Sequence, residues 1–485
     1  MAASHLTIFW IAVAAYMVAV VGIGLWSYGR TSKEEGFLVA GRSLGPVVGG
    51  ATLMANQVSA GATIGIVGFH YYSGFSYAWS WPLTWIGWMV CALFVAPKIR
   101  RHAGFTLPDY FAARYESRAA RAVSATFILF AYSVMLSAQY EAGGLLFALV
   151  TGIPYTKTVI LVAAITTVYT MLGGMYSNAY VGLLKATLLL AGYVLAVPFL
   201  WQQLGGLHAI GVALYAIDPR LTANWFGWRQ LVSISLAIGL GLAAAPYEIS
   251  AIYSMQSRRA AQLAIGWSFF FQAFVGVGVL IFGLSMRVLV PHLPDPDLGT
   301  PMLGANILPL GSGLLVLLAA IVTFTRTGGA ILLTAASAVS HDLYGTLLVP
   351  SAGDRAKVRA GRIAVVLFSA IPVLLAFGHL SLVNFIVIYA ARLMVSFLFV
   401  PVVIGLNWKR GTRQGALASM FGGLGTCAAW SLAGHPYFLG LDPAEAGVLA
   451  SAALFFCVSV WTMQVSDETQ RLFFGREGKA DGLDR

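Results

Sequence analysis

Apolar runs about as long as a bilayer is thick recur along the whole chain, separated by short segments that hold most of its charge. Crossing the hydrocarbon takes about 20 residues of helix. Thirteen stretches offer roughly that length: 6–27, 45–70, 75–97, 122–150, 155–172, 177–200, 230–253, 262–289, 308–340, 363–377, 382–406, 414–433 and 446–464. They are called the first to the thirteenth span below. The first is too long and too uninterrupted for a cleaved signal peptide, and no small-residue cleavage site follows it. An all-α integral membrane protein is expected.

Two spans break the apolar pattern at their centres. The second reads "GPVVGGATLMANQVSAGATIGIVGF", with Asn56, Gln57, Ser59 and Thr63 in its middle. Polar groups there are costly in hydrocarbon unless they line a cavity or meet partners. The seventh reads "SLAIGLGLAAAPYEISAIY". Its Pro246 removes a backbone donor at mid-span, beside Glu248. Two interrupted helices five spans apart are the pattern of a secondary transporter built from inverted repeats, one broken helix opening each half. A pair of simple kinks is the alternative.

Composition agrees with the pattern: 59% of the 485 residues are hydrophobic and 10% are charged, against about 25% charged in soluble domains. Loop charge then sets an orientation. With the N-terminus outside, the inner connections hold Arg30, Lys33 and Arg42, the basic run from Lys98 to Arg121, Arg258 and Arg259, Arg355 to Arg362, Lys409 to Arg413, and the tail's Arg471, Arg476, Lys479 and Arg485. The outer loops hold only Lys157, Arg220, Arg229 and Arg287. The positive-inside rule favours this topology, with a cytoplasmic C-terminus and the plasma (inner) membrane as the address. It also accounts for the net charge of +11 without a nucleic-acid partner. Cys91, Cys427 and Cys457 lie in spans and read as small apolar packers. With no catalytic triad, phosphate loop or zinc spacing, an enzyme reading has no motif behind it, and no cofactor is implied.

Five ionisable residues fall inside spans: Glu141, Lys185, Glu248, Arg326 and Arg392. Each lone charge at mid-membrane costs at least about 2.5–3.5 kcal/mol on insertion scales, so they are expected to pair or to face water. Three cations against two acids leave one net positive charge, which a carboxylate substrate would balance. Two further readings stay open. Glu141 and Arg326 form a buried structural pair, or Lys185, near a helix end, snorkels to the headgroups.

The chain resembles the sodium/solute symporters. The resemblance rests on "FLVAGRSLGP" before the second span, "FTLPDYFAARY" after the third, "YTMLGGMYSNAYVGLLKA" across the fifth and sixth, "SAVSHDLYG" ending the ninth and "NWKRGTRQGALA" after the eleventh. "ASAVSHDLY" and the lysine of "LLKATLLL" look most like the acetate and monocarboxylate branch. The resemblance implies a LeuT-like core of two five-helix inverted repeats, spans 2–6 and 7–11, with a midplane site and alternating access. The chain then divides into a first helix and linker (1–44), a first repeat (45–200), an outer loop (201–229), a second repeat (230–406), two last helices (407–465) and a tail (466–485).

For coupling, the resemblance implies sodium held by backbone carbonyls at Ala55 and Val58 and by oxygens of the ninth span at Thr323 and Thr327. Two departures stand out. Arg326 falls where the family shows a small or hydroxyl residue, and a guanidinium has donors but no acceptor. Where the family often carries Trp-Thr-Asp in the sixth span, this chain has Tyr180, Val181 and Gly182. The expectation is therefore that Arg326 stands in for the ion and that coupling is sodium-independent or proton-linked, through Lys185, Glu141 or Glu248. For substrate, Gln57 matches a polar position of the family, and Met135 stands where sugar and proline carriers show a polar residue. With Pro246, Glu141, Glu248, Arg326 and Arg392 these residues make the expected binding set, and a small organic anion is the expected solute. Two alternatives remain: an ordinary sodium symporter in which Arg326 turns away to pair with Glu141, and a membrane sensor that keeps the carrier fold.

Overall fold

A computed structural model describes residues 3–102, 104–378, 381–433 and 440–475. The tail cations Arg476, Lys479 and Arg485 lie outside the described residues. Each of the thirteen apolar stretches is largely helical, and among the described residues ten helices are long and apolar enough to cross a membrane. The only β-type contact among the described residues is one bridge between Leu44 and Met255. It ties the entrance of the second span to the exit of the seventh.

Helix starts follow local chemistry. Ser117, Ser257 and Thr412 each accept the backbone N–H three residues on, opening the helices Arg118–Thr151, Arg258–Leu289 and Arg413–Leu432. Thr106 with Asp109, and Asp442 with Glu445, form reciprocal capping boxes before Leu107–Tyr115 and Pro443–Trp461. The fifth and sixth spans form one continuous element, Tyr155–Leu204, bent at Gly174 (φ 53°, ψ −147°). The ninth span runs past its expected end: Leu310–Ser337 continues as wider turns over Ala338–Leu348, carrying His341 and Asp342 with it.

Burial ranks the helices. In the ninth span 83% of the most apolar window is buried, against 28% in the first. The ninth span is therefore central, while the first lies at the rim, where side chains such as Val18 face outward. The loops sort into two groups. Arg42 reaches Gly104 and Tyr253, Arg114 the backbone of 405–411, Lys357 Glu34, and Glu116 Ser466. At the other end Tyr71 reaches Val290, Trp225 reaches Ser73, Asp297 reaches Val383 and Ser233 reaches Glu445. These are the two loop sets that charge separates in the sequence.

Candidate functional site

Both broken spans are interrupted in the structure. The second is helical over Pro46–Gln57, leaves helix at Val58 (ψ 81°) and Ser59, and resumes at Ala60. The seventh is helical over Gly227–Ala243, opens at Ala244 and Ala245, and resumes at Pro246. Pro246 is thus the first residue of the new helix, where its missing N–H costs nothing. The interruption is the Ala-Ala pair before it.

A broken helix in an apolar bundle leaves backbone groups that must find partners. The fourth span serves both breaks. Gln139 Oε1 accepts from the Ala60 N–H at 3.0 Å, and the Tyr132 hydroxyl accepts from the Tyr247 N–H at 3.1 Å. The Tyr132 and Tyr247 rings stack with centroids 5.7 Å apart. Neither Gln139 nor Tyr132 stands out in the sequence, since one polar side chain per turn of a long apolar helix carries no pattern. The two breaks are also joined directly: Asn56 Nδ2 donates to the Tyr247 carbonyl at 3.3 Å and to Glu248 Oε2 at 3.2 Å.

Arg326 is fully buried and aims at this junction. It donates through Nη1 to Asn56 Oδ1 (2.5 Å), through Nε to the Asn178 carbonyl (3.1 Å) and through Nη2 to the Thr52 carbonyl (3.4 Å). Arg326, Asn56 and Glu248 therefore form one relay in which an amide joins a cation to an acid. Arg326 does not turn toward Glu141, which lies beside Tyr155 and Asp297.

The carbonyls expected to hold sodium carry a different cation from the one anticipated. Lys185 is fully buried, so it does not snorkel. Its Nζ donates to the Ala55 carbonyl at 2.7 Å, to the Val58 carbonyl, and to Thr327 Oγ1 at 3.3 Å. Arg326 contacts Thr52 and Asn56 instead, so it does not occupy that position. Thr323 does not join the set: its hydroxyl is turned onto the Ala319 carbonyl of its own helix at 2.6 Å. Gly182 lets the sixth span come close. A Cβ there would lie 3.3 Å from the Ala55 Cβ and 3.4 Å from Arg326 Nε.

Of the expected binding residues, Gln57, Pro246, Glu248 and Arg326 gather at the breaks, and Lys185, expected for coupling, joins them. Met135 lies buried on the fourth span one turn past Tyr132. Arg392 is elsewhere: it pairs with Asp442 at the start of the last membrane helix. The structure thus breaks the single five-charge cavity into a core of Lys185, Arg326 and Glu248, with Glu141 and Arg392 engaged outside it. Several buried polar atoms at the core meet no protein partner: both ends of the Gln57 amide, Glu248 Oε1, Gln139 Nε2 and Thr63 Oγ1. Unsatisfied buried polar groups are costly and mark places where a ligand or water completes the bonding.

A second charged cluster closes the end where the basic loops meet. His341 joins Glu34 (Nδ1, 2.6 Å) to Asp109 (Nε2, 2.9 Å). Arg121 pairs with Asp109 at 2.6 Å, Lys357 with Glu34 at 3.1 Å, and Thr106 donates to Asp342 at 3.0 Å. An imidazole with both nitrogens on carboxylate oxygens is a double donor, which is the imidazolium form. Burial works against ionisation of Asp109, but the hydrogen bond and charge of His341, together with Arg121, outweigh it and hold the carboxyl well below its usual range. Glu34 is lowered in the same way, burial again opposed by His341 and then by Lys357. The cluster explains two of the sequence motifs: "LPDY" supplies Asp109 and "SHDLY" supplies His341 and Asp342.

Paired broken helices around a buried polar junction, closed at one end by charged loops, define a membrane carrier of small solutes. The chain matches the Sodium:solute symporter family over residues 37–423 and belongs to that family. It is 30% identical to the high-affinity proline transporter PutP of Bacillus subtilis, over 92% of this chain and 96% of that protein. It is 27% identical to the osmoregulated proline transporter OpuE of the same organism, over 96% of each. A sodium-coupled sialic acid symporter, solved in a substrate-bound outward-open state, superimposes with a TM-score of 0.81 at 16% identity, covering 95% of this chain and 99% of that one. The fold is accordingly LeuT-like, and the chain is a transporter rather than an enzyme.

Proposed function

We propose that this transporter carries a small monocarboxylate anion by alternating access. The observation behind this reading is the charge of the junction. Two buried cations, Lys185 and Arg326, reach the second-span break, and among the described residues one acid, Glu248, is joined to that pair, through Asn56 and Arg326. One carboxylate would balance that excess, and the apolar surround supplied by Met135 and the Tyr132–Tyr247 stack suits a short hydrocarbon body. Gln57 and the Gln139 amide offer the donors that a carboxylate needs. We assign the two five-helix repeats to residues 45–200 and 230–406, with the N-terminus outside the inner membrane.

One observation favours a second reading, an amino-acid zwitterion. Glu248 Oε1 has no protein partner and would accept an ammonium, and PutP and OpuE are named as proline transporters. Counterflow in proteoliposomes separates the two. Labelled C2–C4 monocarboxylates are expected to exchange and proline is not. Absence of monocarboxylate uptake under sodium, proton and exchange conditions would overturn the anion reading. Glu248→Gln keeps the bond to Asn56, so it is expected to leave anion uptake within a few-fold of wild type. A zwitterion carrier would lose uptake in that variant.

A further inference from the structure

Family membership raises the question of whether the oxygens around the second-span break suit sodium in this chain. Sodium takes hard oxygen donors on all sides and tolerates no like charge among them. Here the oxygens of Ala55, Val58 and Thr327 converge on the Lys185 ammonium. The match is stoichiometric. An ammonium has three N–H donors and no acceptor, and three oxygens receive them. Thr327 Oγ1 donates its own proton to the Ala55 carbonyl at 3.1 Å, which leaves its lone pairs free for Lys185. A neutral amine would turn a lone pair toward one of these oxygens.

The surroundings fit a fixed cation in three further respects. The remaining ninth-span hydroxyl of the expected set, Thr323, points away. The position where the family often has an acid is Gly182, which lies against Ala55 and Arg326 and adds no negative charge. The charged group acting on Lys185 is Arg326 from the ninth span, itself joined through Asn56 to Glu248 from the seventh. A sodium ion at this point would have to displace one cation, Lys185, and sit near a second, Arg326.

We propose that Lys185 is the resident cation of this site, its ammonium taking the sodium position, so that the carrier neither binds nor requires sodium there. This deepens the transporter reading by specifying its ion dependence, and it is tested by binding without any organic solute. A failure to find the solute would therefore leave it standing, and its own failure would leave the solute reading standing.

The test measures radioactive sodium binding to purified full-length protein, alongside thermal unfolding in sodium chloride and in choline chloride. Wild type is expected to bind no sodium saturably and to unfold at the same temperature in both salts. Lys185→Ala is expected to gain saturable binding and a sodium-specific stabilisation of a few degrees, the signature of an ion that binds only the folded state. Adding Thr327→Ala to that variant is expected to abolish the gain. Saturable binding by wild type that Thr327→Ala removes would overturn the proposal, as would a folded Lys185→Ala protein blind to sodium. If Lys185→Ala folds only when sodium is present, the rescue itself supports the assignment. If it folds in neither salt, the wild-type measurement decides.

Discussion

Asn56 offers one acceptor and two donors, and all three are used, by Arg326, the Tyr247 carbonyl and Glu248. Leucine has the same branching and none of these groups. Asn56→Leu leaves Arg326 Nη1 and Glu248 Oε2 buried without this partner, at about 1–3 kcal/mol for each group left unsatisfied. The expected outcome is a melting temperature lowered by several degrees in detergent and uptake reduced to background. Normal uptake in a folded Asn56→Leu protein would mean that the relay is not part of the solute path. Sequence alone singles out Lys185, Glu248 and Arg326 as charges too costly to leave idle, but it assigns the cation position to the wrong one. Lys185 and Arg326 come from different helices and both reach the second-span break. Which one lands on Ala55 and Val58 depends on how the sixth and ninth spans rotate. Apolar periodicity does not fix that rotation where the faces toward lipid and toward the bundle are both apolar.

Among the helices, the apolar runs were legible because a bilayer demands length, and each run is largely helical, two of them broken at the centre and two joined into one element. The short helices Glu34–Val39, Leu107–Tyr115 and Gly206–Ile217 lie between the runs and were not anticipated, because six to twelve residues give little periodicity to read. The sequence reads the fifth and sixth spans as two separate runs, whereas they form one element bent at Gly174, and its geometry shows why glycine is needed. At φ 53° and ψ −147° Gly174 occupies backbone space that L side chains avoid, and a Cβ would come within 2.7 Å of the Phe37 carbonyl oxygen. Such strain costs on the order of 1–3 kcal/mol. Gly174→Ala is therefore expected to lower the thermal midpoint by several degrees, whereas Gly211→Ala, which meets open space, is expected to be neutral. Equal midpoints for the two variants would remove the special role of the bend.

Across the whole molecule, the network of Glu34, His341, Asp109, Arg121 and Lys357 fastens five separate helical segments at one face. Its motifs were visible in the sequence, but their meeting was not, since Glu34 and His341 stand 307 residues apart. The pH dependence follows from the direction of the shifts. Asp109 and Glu34 are lowered from ordinary values of 3.8 and 4.5. Their contribution is therefore complete above those values and is lost as pH falls below them. Wild-type melting temperature is expected to drop steeply below about pH 4, and Asp109→Asn, already lacking the charge, is expected to show a lower but flatter profile. At neutral pH the same variant should speed thiol labelling of a cysteine introduced at Ser337, in the small cavity behind the network. An unchanged labelling rate would separate the network from any gating role.

The bend at Gly174 and the anchor at Lys185 lie on one helix, about 16 Å apart at 1.5 Å per residue. A ten-degree swing about that swivel would carry the ammonium by roughly 3 Å, the full reach of a hydrogen bond. The lysine stem would then work as a mooring line: while it holds, the sixth span and the unwound turn of the second must travel as one body.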